Sequence, residues 1–327
     1  MSDLRRPLLV ILLIAAGCVY TPSIPHEAAP TVYFTGRSDS APTDLFAPLF
    51  LAHGIKDDHN RIGTPTARYD ENGMASIRVD PERPSVYTMV RRFETENGTF
   101  TNFIYRIHFE EVPFSLVPFH LTAGKNVGLL VVVTLDERKR AVLVTTVGTC
   151  GCYAVCIPTS HLSRDAYPEE WPQDGRVSVF GERLPAVLDV GAVDLPRIVI
   201  VLRPDVHRVM DIRVVPDAEL ADSRKYSVVR VRLFPMGALE ALDLNGGTTS
   251  FYHESGPAEG HVKGAEKGWE TLLMGLISFD FFVGTDKVYG DSRDTGNPFY
   301  TSLKPWNRKA SDMWEFDRFL HFHGWRL

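Results

Sequence analysis

Three cysteines stand close together in the run Cys150-Gly151-Cys152-Tyr153-Ala154-Val155-Cys156, and with Cys18 they make up all four cysteines of the chain. Three thiols at this spacing cannot all pair within one molecule. The odd count resolves as one structural disulfide with a spare cysteine buried like a small hydrophobe. A second resolution is thiol redox work, in which a low-pKa thiolate attacks and a neighbour resolves. The third resolution is a shared copper or zinc ion, for which thiolate and imidazole are preferred ligands. His161 follows closely along the chain and His120 precedes the adjoining strand pair, so both are candidate partners of the cysteines.

Cys152 and Cys156, followed by Ile157-Pro158, resemble the C-x-x-x-C-P metal site of copper-delivery proteins with a thioredoxin fold. The run departs from that pattern because Ile157 precedes the proline and Cys150 is additional. No βαβ arrangement surrounds it, so the resemblance implies a copper ligand set and not a fold.

Other groups offer weaker chemistry. Asp57, Asp58 and His59 form an acid–base cluster in a turn-rich stretch, suited to proton transfer or to plain solvation. His321 and His323 share a face on a strand but diverge on a helix. Trp269, Trp306, Trp314 and Trp325 lie in the last third with Tyr289, Phe299 and Tyr300; such aromatics either fill a core or, on exposed loops, stack on glycans or anchor a protein partner. No G-x-S-x-G elbow, H-E-x-x-H helix or phosphate-cradling glycine loop occurs, so the motifs leave open whether the chain is an enzyme.

The elements that must position these groups read mostly as strands. Val86 to Phe93 and Phe100 to Phe109 flank Asn97-Gly98, a turn dipeptide, and predict a hairpin. Val127 to Leu135 and Ala141 to Val147, joined by Asp136-Glu137-Arg138-Lys139, are apolar without alternation, which predicts central strands covered on both faces. Further strands are expected at Ile77 to Val79, Val177 to Phe180, Arg197 to Leu202, Asp211 to Val215 and Tyr226 to Phe234, the last with one wet face. Helices are expected from Thr43 through Leu51, from Met236 to Leu242 and from Ser311 to Leu320. The fold class is therefore α+β and β-rich, mostly antiparallel with a few short helices. The polar stretch 163–175, with Pro168 and Pro172, suggests a boundary between a lobe at 31–165 and a second at 172–327, or a kink within one continuous domain. The glycine-punctuated stretches 246–268 and 284–305 are long enough to be functional loops.

The start of the chain gives the address. Arg5 and Arg6 precede a wholly apolar run from Leu8 to Ile14, then the small residues Ala15, Ala16 and Gly17, then Cys18. The run is about half of the roughly 20 residues a spanning helix needs, and its layout is that of an export signal. Ile14-Ala15-Ala16-Gly17-Cys18 resembles the lipobox of bacterial lipoproteins. The resemblance implies cleavage of residues 1–17, lipidation of Cys18, and, since Val19 rather than an aspartate follows, sorting to the outer membrane. Leu4-Arg5-Arg6-Pro7-Leu8-Leu9 also resembles a twin-arginine signal, although the very apolar core suits the general secretory route better. Residues 18–30, rich in proline and alanine, suit a flexible tether.

Composition bounds the partners. The 327-residue chain is 44% hydrophobic and 23% charged, which suits a globular body with a sizeable core. Its net charge is −6, one unit more negative once Asp3, Arg5 and Arg6 leave with the signal, and gives no reason to expect nucleic acid. The expected protein is a lipid-anchored envelope component, its domain in the periplasm or at the cell surface, with a binding or structural role toward a protein or glycan. The alternative is cysteine- and histidine-dependent thiol redox or copper or zinc handling.

Overall fold

The computed structural model describes residues 29–35, 42–172, 175–191, 197–216 and 225–327. The leader, Cys18 and nearly all of the tether lie outside the described residues.

The chain runs β1 (Thr31–Thr35), α1 (Pro42–Leu45), β2 (Leu49–Ala52), β3 (Thr64–Tyr69), β4 (Ala75–Asp80), β5 (Ser85–Thr95), β6 (Gly98–Val112), β7 (Gly124–Leu135), β8 (Ala141–Gly148) and β9 (Val155–Pro158). It continues through β10 (Arg176–Val179), β11 (Glu182–Pro185), β12 (Arg197–Leu202), β13 (Val209–Val215), β14 (Ser227–Pro235), β15 (Leu242–Leu244) and β16 (Gly247–Thr249). The last part is helical and irregular, with α2 (Gly268–Ser278), α3 (Ser292–Thr295) and α4 (Phe316–Phe322).

Ten strands form one curled sheet in the order β13-β12-β2-β1-β14-β5-β6-β7-β8-β9. The class is α+β and β-rich. The run from β5 to β9 is an antiparallel meander, whereas β1 with β14, β12 with β2 and β14 with β5 are parallel. Strands from both sides of residues 163–175 belong to this sheet, so that polar stretch connects parts of one sheet.

Two apolar layers explain why β7 and β8 carry no polar alternation. Leu129, Val131 and Val133 face a core shared with Phe103, Tyr105, Phe50 and Ile200. Leu130 and Val132 face the opposite way, into a core built with Phe251, Phe299, Phe316, Phe319 and Trp325 of the C-terminal segment. Burial on both faces is what a non-alternating apolar run demands. The turn between them is fixed by Asp136, whose Oδ1 accepts from the amides of Arg138 and Arg140, with Lys139 at a φ of 61°.

The other expectations shift by identifiable causes. The β5–β6 turn is made by Glu96 and Asn97, with Thr95 opposite Gly98, one residue earlier than the Asn97-Gly98 reading. The helix expected from Thr43 to Leu51 ends at Leu45, before Pro48. Leu49 to Ala52 are instead a fully buried strand between β12 and β1, because pairing and burial outweigh local propensity. Met236–Glu240 is a 3-10 turn, and the helix near Ser311 starts only at Phe316.

Candidate functional site

The turn after β8 carries the cysteines. The Gly148 amide donates to the Cys152 carbonyl at 2.8 Å and the Gly151 amide to the Gly148 carbonyl at 2.7 Å. This tight loop joins Cys150 and Cys152 in a disulfide. Gly151 holds a φ of 94°, and a Cβ there would fall on the Tyr300 carbonyl oxygen, so the position needs glycine for both reasons.

Cys156 is elsewhere. On β9 its side chain enters the core beneath the C-terminal segment, where the Thr145 hydroxyl donates to its sulfur at 3.3 Å. Burial pushes its thiol up to about 12. His161 sits at the far end of β8, its Nδ1 donating to the Ala141 carbonyl at 3.2 Å. His120 donates from Nδ1 to the Pro113 carbonyl at 2.9 Å, in the loop before β7.

Of the three resolutions the structure shows the disulfide with a buried spare cysteine, and it does not gather Cys150, Cys152, Cys156, His161 and His120, the candidates for a redox or metal centre, at one place. Cys156 pairs with Thr145 in the middle of β8 and turns its sulfur into the core, whereas His161 contacts Ala141 at the start of that strand and the disulfide lies in the loop beyond its end. Among the described residues no group of three or more His, Cys, Asp or Glu side chains converges to hold a metal. Cys156 should react with a maleimide only after denaturation, since a buried, high-pKa thiol is neither accessible nor ionised; rapid labelling of the folded chain would contradict this placement.

A buried charge layer, unsuspected from sequence, fixes the disulfide loop. Asp286 is fully buried; its Oδ1 accepts from the Lys267 ammonium at 2.8 Å, and its Oδ2 accepts from the Gly128 amide at 2.8 Å and from the Thr149 hydroxyl. Lys287, also fully buried, donates from Nζ to the Cys150 carbonyl at 2.8 Å and from its amide to the Thr149 carbonyl at 2.9 Å. Burial holds the Lys287 ammonium down to about 8, with Asp280 and Asp286 opposing. Its Nζ lies 4.5 Å from the centre of the Tyr300 ring, a cation–π contact.

Between this loop, α2 and the strand-like segment at Tyr300 lies a cavity of about 480 Å³. Cys150, Cys152 and Tyr153 form one wall, Leu273, Met274 and Ile277 of α2 another, and Val283, Tyr300 and Leu303 close it. Clefts of this size lined by apolar groups are the usual form of small-molecule sites. One charged side chain lines it. Glu270 is only 7% exposed, its Oε2 has no hydrogen-bond partner, and burial pushes its carboxyl up toward the neutral form while Lys267 and Lys287 pull the other way. Thr301 and His323 meet at the rim, Thr301 Oγ1 lying 3.2 Å from His323 Nε2.

The arrangement can bind. An apolar body fits the walls. Compared with known proteins, the chain matches no family model, no curated protein and no solved structure.

The remaining sequence candidates separate. His59 meets Asp205 at 2.9 Å, not Asp57 or Asp58, and its backbone carbonyl accepts from His207 Nε2 at 2.6 Å. That hydrogen bond to Asp205 raises the His59 imidazole. Trp325, Tyr289, Phe299 and Tyr300 are core residues, and Trp314 lies under the Arg91 guanidinium, 3.1 Å from its ring centre. Trp269 and Trp306 are exposed. His321 lies within α4 and His323 just past its end, so the two diverge.

Proposed function

We propose that the protein is a lipid-anchored cell-envelope component, attached through Cys18 and sorted to the outer membrane, whose β-rich body binds an amphiphile in the cavity beneath α2. The anchorage rests on the lipobox run Ile14 to Cys18. The binding reading is carried by one observation, the apolar cavity of about 480 Å³ bounded by α2, the disulfide loop and Tyr300. Glu270, a charged side chain among otherwise largely apolar lining residues, favours a guest with a polar end over a plain hydrocarbon.

Mass spectrometry on protein extracted gently from its own membrane tests both halves. The terminal peptide should begin at an acylated Cys18, and the intact native ion should carry a noncovalent amphiphile. Met274→Trp, which fills the cavity, should lose the amphiphile and keep the acyl group. A bare ion in both proteins would count against the cavity, and an unmodified terminus against the anchor.

A second reading keeps thiol chemistry, because the Cys150–Cys152 disulfide borders the same cavity and Cys152 is only half-buried. It predicts that a small dithiol reduces this bond in the folded chain and that a filled cavity slows the reduction. Cys156, Cys18 and the histidines have no part in it.

A further inference from the structure

Helix α2 is built inside out. Its sequence, GWETLLMGLIS, has one charged residue, Glu270, and that residue faces the cavity. Trp269, Leu272 and Leu276, spaced to share one face, point to solvent, and Leu276 is 81% exposed. The chain leaves the helix through Phe279, in the left-handed region at a φ of 49°, and the loop presents Phe279 and Phe281 at 80% and 85% exposure. Beside them the loop before β7 adds Leu116 and Val117, and its Phe114 stacks on Trp269 at 6.3 Å. A contiguous apolar surface of this kind marks an interaction site.

The border of that surface indicates what covers it. The Arg308 guanidinium donates to the Ser278 carbonyl and so ties the segment Leu303 to Lys309 to the end of α2. This segment sets exposed Lys304, Trp306 and Lys309 around the apolar tip, although the whole chain is acidic. Beside the Phe279 loop the carboxylates are engaged or turned away: Asp280 accepts from the Tyr300 hydroxyl and lies 3.6 Å from Arg308, and Glu270 is turned inward, while exposed Glu266 stands before the other end of α2. Leucine and phenylalanine at the tip, tryptophan at the margin and lysine or arginine behind it are the order of groups met in crossing from acyl chains to anionic headgroups. No helix among the described residues is long and apolar enough to cross a membrane, so α2 would lie in the plane of the surface.

We propose that α2, the Phe279–Phe281 loop and the Phe114–Val117 loop bed into the headgroup boundary of an anionic bilayer. Ile277 and Leu303 belong both to this exposed surface and to the cavity wall, so the cavity opens where the protein meets the acyl chains. The inference concerns the surface and stands apart from the cavity reading.

The test uses the full chain reconstituted in vesicles of phosphatidylethanolamine and phosphatidylglycerol with brominated acyl chains, which quench only tryptophan that reaches them. Two of the five tryptophans, Trp269 and Trp306, are exposed on this surface. Emission should fall relative to unbrominated vesicles, the Trp269→Phe/Trp306→Phe variant should show no fall, and Lys304→Glu/Lys309→Glu should weaken it. Equal emission in both kinds of vesicle, or a fall unchanged in the tryptophan variant, overturns the proposal. So does a stable dimer of the chain that buries Trp269 and escapes the quencher, which would assign the surface to a second copy. A chain that escapes quenching yet takes up an apolar probe in its cavity loses only this proposal.

Discussion

Asp286→Ala should lower the stability of the folded chain by about 3–5 kcal/mol, the cost of breaking a buried ion pair by removing one partner. The carboxylate is fully buried and neutralises Lys267, itself 3% exposed, while also accepting from the Gly128 amide and the Thr149 hydroxyl. Alanine leaves a buried ammonium without its counter-charge and two donors without an acceptor. Because those donors belong to β7 and to the start of the disulfide loop, the loop should loosen with the loss of stability. Urea unfolding followed by tryptophan emission measures the first effect, and amide exchange at Thr149 to Cys152 the second. A change under about 1 kcal/mol would mean that water reaches Lys267 and that the layer is not the dry network its geometry describes.

Acid should destabilise the protein steeply between about pH 7 and about pH 5, by about 2 kcal/mol from each of His207 and His261. Burial, joined by the charge of His59, holds the His207 imidazole down to about 3, and burial with the charge of Lys287 holds His261 at about 4. Burial beside Arg106 keeps His108 well below its ordinary value in the same direction. The unfolded chain protonates all three near pH 6.5, so over this window it binds protons that the folded chain refuses. Stability is therefore full above the unfolded value and declines as pH falls toward the folded ones. His59 works the other way. Its raised imidazole adds stability below the unfolded value, which is lost as pH rises through the folded one, and the Asp205 carboxyl, lowered mainly by the same bond, loses its share only in stronger acid. Urea midpoints across the range should fall with pH, and His207→Phe should flatten the fall. Midpoints that rise toward acid would show that these imidazoles are reached by water.

The parts of the fold that were legible in the sequence are those whose burial leaves a mark along a single strand. Val127 to Leu135 and Ala141 to Val147 carry apolar side chains on both faces, and both faces are indeed covered. β1 and β2 were not legible, because their partners β14 and β12 lie far along the chain and their few residues make no pattern alone. α2 escaped for a different reason. A surface helix is recognised by polar residues outside and apolar residues inside, and here the sole charge points inward while Trp269, Leu272 and Leu276 point out.

The site was legible only in part. The cysteine spacing indicated a disulfide with a spare thiol as one of three resolutions, but which two sulfurs meet depends on Gly151 and the approach of Tyr300, a contact remote in sequence. Asp286-Lys287 lies in a stretch that reads as a glycine-punctuated loop, where charged residues are ordinarily solvated. Only the packing of the C-terminal segment onto β6 to β8 buries them. Glu270 carries no local signal at all; its burial follows from α2 having turned its apolar face outward.

The space beneath α2 should take an apolar guest. Titration of the unlipidated chain, begun at residue 18 with Cys18→Ser, with the neutral probe N-phenyl-1-naphthylamine tests it most directly. The probe should brighten along a saturating curve for one site, and Met274→Trp should weaken it about tenfold, or about 1.4 kcal/mol, while an exposed change such as Leu272→Gln leaves it unaltered. A rise that never saturates, or that is the same with and without Met274→Trp, would contradict the account.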